Sequence, residues 1–212
     1  MKVELERRTP LDILVKAIRI CKGGNKDEKS FLDDLTERDK DLIIRIIKNK
    51  HHSPLEHIVY TFRIEDISRL CLQELVRHRH ASYSVKSTRY TLKKDLSNEQ
   101  TFMKSLMDYD YDRVEKYLIL QDCLAKSQSA LLEMLRTAVC HNSANIDTLK
   151  YLIPESFKTS LYMTINARSL RNFFELRTDK TAHFEIRQLA LKMFDALPQN
   201  HEFMYQDVIK GD

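Results

Sequence analysis

The sequence predicts an α+β fold, an antiparallel sheet core flanked by several helices, one of them long. Two runs of alternation carry that prediction. Ile58, Tyr60, Phe62 and Ile64 share one face of the first, and Phe157, Thr159, Leu161, Met163 and Ile165 share one face of the second, the period of half-buried strands. Around them lie helical segments of unequal length, which argues against the regular strand and helix repeat of a doubly wound sheet. With 212 residues the chain can bury one substantial core, and it reads as a single domain over residues 1–212.

The elements follow in order. Leu11 to Ile20 has helical spacing, and Thr36 stands as N-cap of a second helix through DLIIRIIKNK, whose cationic end suits the helix dipole. HHSPLEH, residues 51–57, reads as a loop into the first strand, 57–64, because Pro54 interrupts any helix there. Ile67 to Val76 is helical, RHRH follows, and SYSVKSTRYTL looks extended. The polar stretch 93–108 reads as a loop. Val114, Leu118, Leu124, Leu131, Leu135 and Val139 then form a stripe that predicts one long helix over 112–141. Pro154 interrupts the next helix. After the second strand, a helix runs from Ala167 to about Leu176 with Phe173, Phe174 and Leu176 toward the core, and a last one covers Thr181 to Ala196.

Composition narrows the function classes. A hydrophobic fraction of 42% with 31% charged residues describes a globular protein, and a net charge of +4 is too small to demand a polyanion while fitting a phosphate-bearing ligand. The amino terminus, MKVELERRTPLD, lacks the apolar run of a signal peptide. No run of about 18 apolar residues suggests a membrane span, so a cytoplasmic protein without membrane contact is expected. Cys21, Cys71, Cys123 and Cys140 are scattered without a CxxC pair, which implies neither a disulfide framework nor a zinc ribbon. The three glycines, Gly23, Gly24 and Gly211, cannot build a GxGxxG or GxxxxGK[ST] loop, so a nucleotide would have to be held without either.

Three segments concentrate chemistry. RHRHASYSVKSTRY, residues 77–90, gathers Arg77, Arg79, Lys86 and Arg89 with four hydroxyls. If extended, it puts Ser87 and Arg89 on one face, where a hydroxyl and a guanidinium could converge on a phosphate; a cationic helix end and a solvated strand explain the same composition. HHSPLEH offers three histidines and Glu56, but HExxH spacing on a helix is absent, so surface histidines are expected and no metal. In NARSLRNFFELR, residues 166–177, Arg168 and Asn172 lie four apart on one helix face. Cys140 and His141 are adjacent; helical neighbours diverge by about 100°, so the pair makes no nucleophile and base, and Cys140 is expected to be buried and inert.

Together these segments resemble the flavin-dependent thymidylate synthases, whose signature is RHR, seven further residues and a serine; Arg77, His78, Arg79 and Ser87 fit it. SPLEHIVYTF and INARSLRNFFELR with FEIRQLA extend the resemblance over most of residues 50–190. It implies reductive methylation of dUMP to dTMP by an FAD enzyme, with NADPH as reductant, 5,10-methylenetetrahydrofolate as carbon donor and no cysteine nucleophile. It places His51, Ser53, Glu56, Arg77, His78, Arg79, Asn166, Arg168 and Asn172 on the flavin side. It places Glu74, Arg77, Val85, Lys86, Ser87, Thr88, Arg89, Lys150 and Arg177 on the dUMP side, Arg177 as the catalytic residue that polarises uracil. It also implies a homotetramer with shared active sites.

The sequence departs from the common family choice at Glu74 and Val85, and at Lys150, which supplies charge without a bidentate fork. Thr181 and His183 replace a His and a Gln common in relatives. The competing reading is a nucleic-acid module, with the basic cluster on phosphates and Tyr83 or Tyr90 stacking on bases. A nearly balanced charge and the absence of a long basic stripe argue against it, so no nucleic-acid partner is expected.

Overall fold

The computed structural model describes residues 1–21, 23, 35–141 and 145–210; Gly24 and Gly211 lie outside them. The chain forms two compact units, one of residues 1–64, 75–84 and 162–212, the other of residues 65–74 and 85–161. An antiparallel four-stranded sheet has the order β1-β2-β6-β3, from Lys2–Arg8 (β1), Val59–Ser68 (β2), Ala81–Val85 (β3) and Lys158–Asn166 (β6). The fold is α+β, as the two alternating runs imply.

In the first unit the predicted apolar faces are buried. Ile58, Tyr60, Phe62 and Ile64 are fully covered, as are Met163 and Ile165 of β6 to within 2%. Helix α1 (Asp12–Cys21) inserts Leu14, Val15 and Ile18 and packs on both α2 (Glu37–Lys48) and a short 3-10 turn, Ser53–His57. Thr36 caps α2 in a capping box: its hydroxyl accepts from the Asp39 amide, and the Asp39 carboxylate accepts from the Thr36 amide, a pair of bonds worth about 1 kcal/mol. Helix α8 (Ala167–Arg177) buries Leu170, Phe173 and Phe174 and packs on α9 (Phe184–Asp195). The carboxy-terminal residues from α10 (Gln199–Glu202) onward are anchored by polar contacts. Tyr60 Oη meets His201 Nδ1 at 2.8 Å, and Arg171 grips Asp207 with both terminal nitrogens, at 2.8 and 2.7 Å.

β1 has no counterpart in the sequence reading. Lys2, Glu4 and Glu6 do alternate with the apolar Val3 and Leu5, but the run holds only two apolar residues, and it is held by Glu4 and Glu6 pairing with Arg63 of β2.

The second unit packs a core of Leu92, Leu96, Phe102, Leu118, Leu132, Leu135, Leu149 and Phe157. Three expectations fail here. SYSVKSTRYTL is extended only over β3; residues Thr88–Leu96 form helix α4, after α3 at Arg69–Leu75. The stretch read as a loop contains a hairpin, β4 (Met103–Ser105) and β5 (Asp108–Tyr109), whose tight turn puts Met107 at φ 60°, a conformation usually announced by Gly or Asn.

The helix expected over 112–141 exists as α6, Ala125–His141, after the short α5 (Tyr111–Val114). Leu118 instead pairs with Phe157 in an isolated antiparallel bridge, and Ile119 donates to the Ser156 carbonyl. Val114, Leu118, Leu135 and Val139 of the predicted stripe are buried, whereas Leu124 and Leu131 are 52% and 46% exposed, because α6 begins only at Ala125 and turns Leu132, Leu135 and Val139 inward. Helix α7 (Ile146–Leu149) ends five residues before Pro154, through a 3-10 turn. Among the described residues no helix is long and apolar enough to cross a membrane.

Candidate active site

A cleft of about 980 Å³ opens in the first unit. Arg77, His78, Arg79 and His80 reach it from the turn between α3 and β3, Glu56 from the 3-10 turn, and Thr181 and Ala182 from the segment before α9. Helix α8 contributes Arg168, Ser169, Asn172, Leu176 and Arg177, with Asn166 at its N-cap. Arg168, Asn172 and Leu176 are spaced by four and form one stripe on α8. Leu176, expected in the core, belongs to this stripe and is 54% exposed, because the core face of the helix is taken by Leu170, Phe173 and Phe174.

The electrostatics are one-sided: among the described residues, four arginines line the cleft against one carboxylate, Glu56. Arg168 Nη1 donates to Glu56 Oε1 at 2.6 Å, yet both side chains are about half exposed, so the pair contributes about 0.2 to 1 kcal/mol and an incoming anion can displace it. Asn166 commits its Oδ1 to the Ser169 amide at 2.8 Å, capping α8. Arg177 Nε donates to His78 Nε2 at 2.9 Å, and the His78 ring meets Phe173 edge-on at 4.9 Å between centroids. The turn carrying His78 is tied from behind. Tyr83 Oη shares its proton between the carbonyls of His78, at 2.8 Å, and Leu75, at 3.0 Å, and burial pushes the phenol up to about 12.

The expected nucleotide side divides between the units. Arg77 and Arg177 belong to the first, whereas Glu74, Val85, Lys86, Ser87, Thr88, Arg89 and Lys150 belong to the second. In the second unit Arg89 Nη2 and Lys150 Nζ share the carboxylate of Asp147, at 3.3 and 3.5 Å, and Lys86 Nζ pairs with Asp95 at 2.8 Å. Ser87 is the N-cap of α4, with φ −83° and ψ 116°, and its side chain makes no capping bond. Ser87 and Arg89 therefore do not share the face of a strand; they begin a helix. Thr88 is buried as its first residue, Val85 ends β3 partly exposed, and Glu74 lies in the last turn of α3.

Of the expected flavin-side residues, His51 and Ser53 do not line the large cleft. His51 is exposed, and Ser53 borders a separate cleft of about 360 Å³ with His57, Ile13 and Lys16. His80, Ser169 and Ala182 line the large cleft without having been singled out, and Leu176 does so in place of the core position expected for it; spacing by three or four from Asn172 was the available signal for Ser169 and Leu176. Among the described residues no three His, Cys, Asp or Glu side chains group as metal ligands. Cys140 is only partly covered, with its Sγ 3.5 Å from the Leu96 and Ser97 carbonyls and 3.7 Å from Arg136 Nη1. It is less deeply buried than its apolar neighbours suggest, because it sits near the end of α6 beside the α4 terminus.

Comparison with known proteins supplies an independent constraint. A family model described as thymidylate synthase complementing protein matches residues 4–201. The flavin-dependent thymidylate synthase of Campylobacter jejuni is 46% identical over 215 residues, covering 100% of this chain and 99% of that protein. That of Wolinella succinogenes is 47% identical over 208 residues, covering 97% of each. The crystal structure of the Helicobacter pylori flavin-dependent thymidylate synthase, complexed with FAD and dUMP, superposes with a TM-score of 0.90 at 41% identity, covering 99% of this chain and 100% of that one.

Proposed function

We propose that this chain, which belongs to the flavin-dependent thymidylate synthase family, binds FAD in the large cleft and methylates dUMP to dTMP. 5,10-Methylenetetrahydrofolate is the carbon donor and NADPH the reductant. The observation that carries this reading is the convergence of RHR, Glu56 and the Arg168–Asn172 stripe on one cleft with four arginines. A volume of about 980 Å³ suits a ligand of FAD's size, and the arginines suit its diphosphate. The family model spans residues of both units, which supports reading 1–212 as one catalytic domain.

When bound, FAD supplies the hydride, drawn from NADPH, and the folate supplies the one-carbon unit, so the cofactors carry the chemistry that a protein side chain would otherwise have to provide. The chain's own residues bind, orient and polarise. Arg168 exchanges Glu56 for a ligand anion, and Asn172 adds an amide on the same stripe. Arg77 and Arg79 favour anionic groups beside them. Lys86, Ser87, Thr88, Arg89 and Lys150 form the phosphate side of the dUMP site, with Asp147 holding Arg89 and Lys150 together until the nucleotide arrives; Glu74 and Val85 complete it. A fixed cation at Arg177 stabilises charge that develops on the uracil ring more than it stabilises the ground state. His51 and Ser53 complete the flavin side from outside the cleft lining.

We place the enzyme in the cytoplasm as a homotetramer with shared active sites. Exposed Leu131 and Met134 on α6 and Tyr151 are apolar surface of the kind a subunit interface covers. The test is direct. Purified protein should be yellow, NADPH should bleach it, and dTMP should form from dUMP and methylenetetrahydrofolate. A colourless protein that neither takes up FAD nor makes dTMP would overturn the reading.

A further inference from the structure

We infer that Arg177 is a positioning residue for His78, fixing its imidazole as a neutral ring with a lone pair at Nε2 and the proton at Nδ1. A guanidinium only donates. With Arg177 Nε 2.9 Å from His78 Nε2, a hydrogen on Nε2 would face the hydrogen on Nε, so neither the Nε2–H tautomer nor the imidazolium is compatible with the bond. Other contacts hold the ring in register. Phe173 meets it at an interplanar angle of 81°, which sets its plane, and the Tyr83 hydroxyl holds its carbonyl.

The charged neighbours act in the same sense. Arg77, Arg79 and His80 flank the ring on its own segment, Arg168 and Arg177 come from α8, and among the described residues Glu56 is the one carboxylate lining the cleft. A second positive charge on this ring would sit among cations, which disfavours protonation. His78 therefore carries its proton at Nδ1 and no charge. The positive potential of the cleft at this position comes from arginine, which does not titrate as pH crosses the imidazole range. The bond to His78 takes one of Arg177's five N–H donors, so the same side chain can address His78 and the nucleotide together.

The structural claim is independent of the proposed function, and its experiment is as well. The full chain is labelled with ¹⁵N-histidine, and the His78 signals are assigned by their loss in His78→Gln. Long-range ¹H–¹⁵N spectra at pH 7 should show an unprotonated Nε2 and a protonated Nδ1. Arg177→Met should populate the Nε2–H form and raise the titration midpoint, because it removes both the donor to Nε2 and a neighbouring cation. Arg177→Lys, which keeps a donor, should restore the wild-type tautomer at least in part. An Nε2–H ring in the wild-type chain, or a midpoint unchanged in Arg177→Met, would overturn the inference. The kinetic arm rests on the proposed function. The acid limb of dTMP formation should shift in Arg177→Met and recover in Arg177→Lys; absence of dTMP even from the wild-type chain would refute that function while the tautomer result stands.

Discussion

Ser87 separates a structural from a binding role cleanly. It occupies the N-cap of α4, and its carbonyl accepts from the Tyr90 and Thr91 amides at 3.1 and 3.2 Å, but its hydroxyl makes no capping bond. A serine that caps contributes about 1 kcal/mol to folding, lost on change to alanine. Here that bond is missing, so Ser87→Ala should lower stability by less than about 0.5 kcal/mol. If the hydroxyl instead serves the dUMP phosphate, its loss should weaken binding by about 0.5 to 1.5 kcal/mol, or up to about 3 if the contact is charge-assisted and dry. That is roughly twofold to tenfold in Kd, reaching about a hundredfold. Urea denaturation without nucleotide measures the first quantity and calorimetric titration with dUMP the second, with turnover at saturating dUMP as a check that chemistry survives. A variant destabilised by about 1 kcal/mol with unchanged dUMP affinity would make Ser87 an ordinary cap and refute the reasoning. Complete inactivity at unchanged affinity would point to a covalent role.

Three further predictions concern other parts of the chain. Arg177→Ala should lose about 10² to 10³ in kcat at saturating dUMP, by analogy with removal of one preorganised donor, and keep its FAD; near-normal dTMP formation would refute the assignment. Arg177→Lys should recover only part of that loss, since an ammonium lacks the planar fork. Replacing Cys21, Cys71, Cys123 and Cys140 by alanine should leave dTMP formation measurable in folded protein, and total loss of turnover with FAD still bound would show that a thiol takes part.

Asp207→Ala should cost about 1 to 2 kcal/mol at pH 7, because the Arg171 side chain is only 7% exposed and loses its bidentate partner, while 58% exposure of Asp207 keeps the loss below that of a fully buried pair. Hydrogen bonding to Arg171 holds the Asp207 carboxyl below its usual range. Its contribution is therefore present above the unfolded value of about 3.9 and lost as pH falls through the lower folded value. Urea curves at several pH values should show the gap between variant and wild type closing below about pH 4; a gap unchanged there would break the link to Asp207.

How much of this was legible in the sequence differs element by element. The faces of β2 and β6 were readable because alternation of Ile58, Tyr60, Phe62 and Ile64 against polar neighbours has one physical reading, a sheet buried on one side. The α2 cap was readable because Thr36 and Asp39 satisfy each other's amides within four residues. RHR and the Arg168 and Asn172 pair were recognisable by motif, since local spacing delivers them to one turn and one helix face. Long-range choices were hidden. The stripe from Val114 to Val139 is helical in spacing, yet pairing of Leu118 with Phe157 overrides its first third. β1 offers only Val3 and Leu5 as an apolar face, and its place in the sheet is fixed by Glu4 and Glu6 meeting Arg63 of β2. Leu176 looked apolar and therefore internal, but Phe173 and Phe174 fill the core side of α8, and the helix turns Leu176 to the cleft. The sequence by itself determined which residue types were present and which neighbours along the chain shared a face. Only the tertiary structure decided that Arg177 would spend its Nε on His78, 99 residues away, because a hydrogen bond between distant segments depends on backbone positions set by the packing of the whole unit.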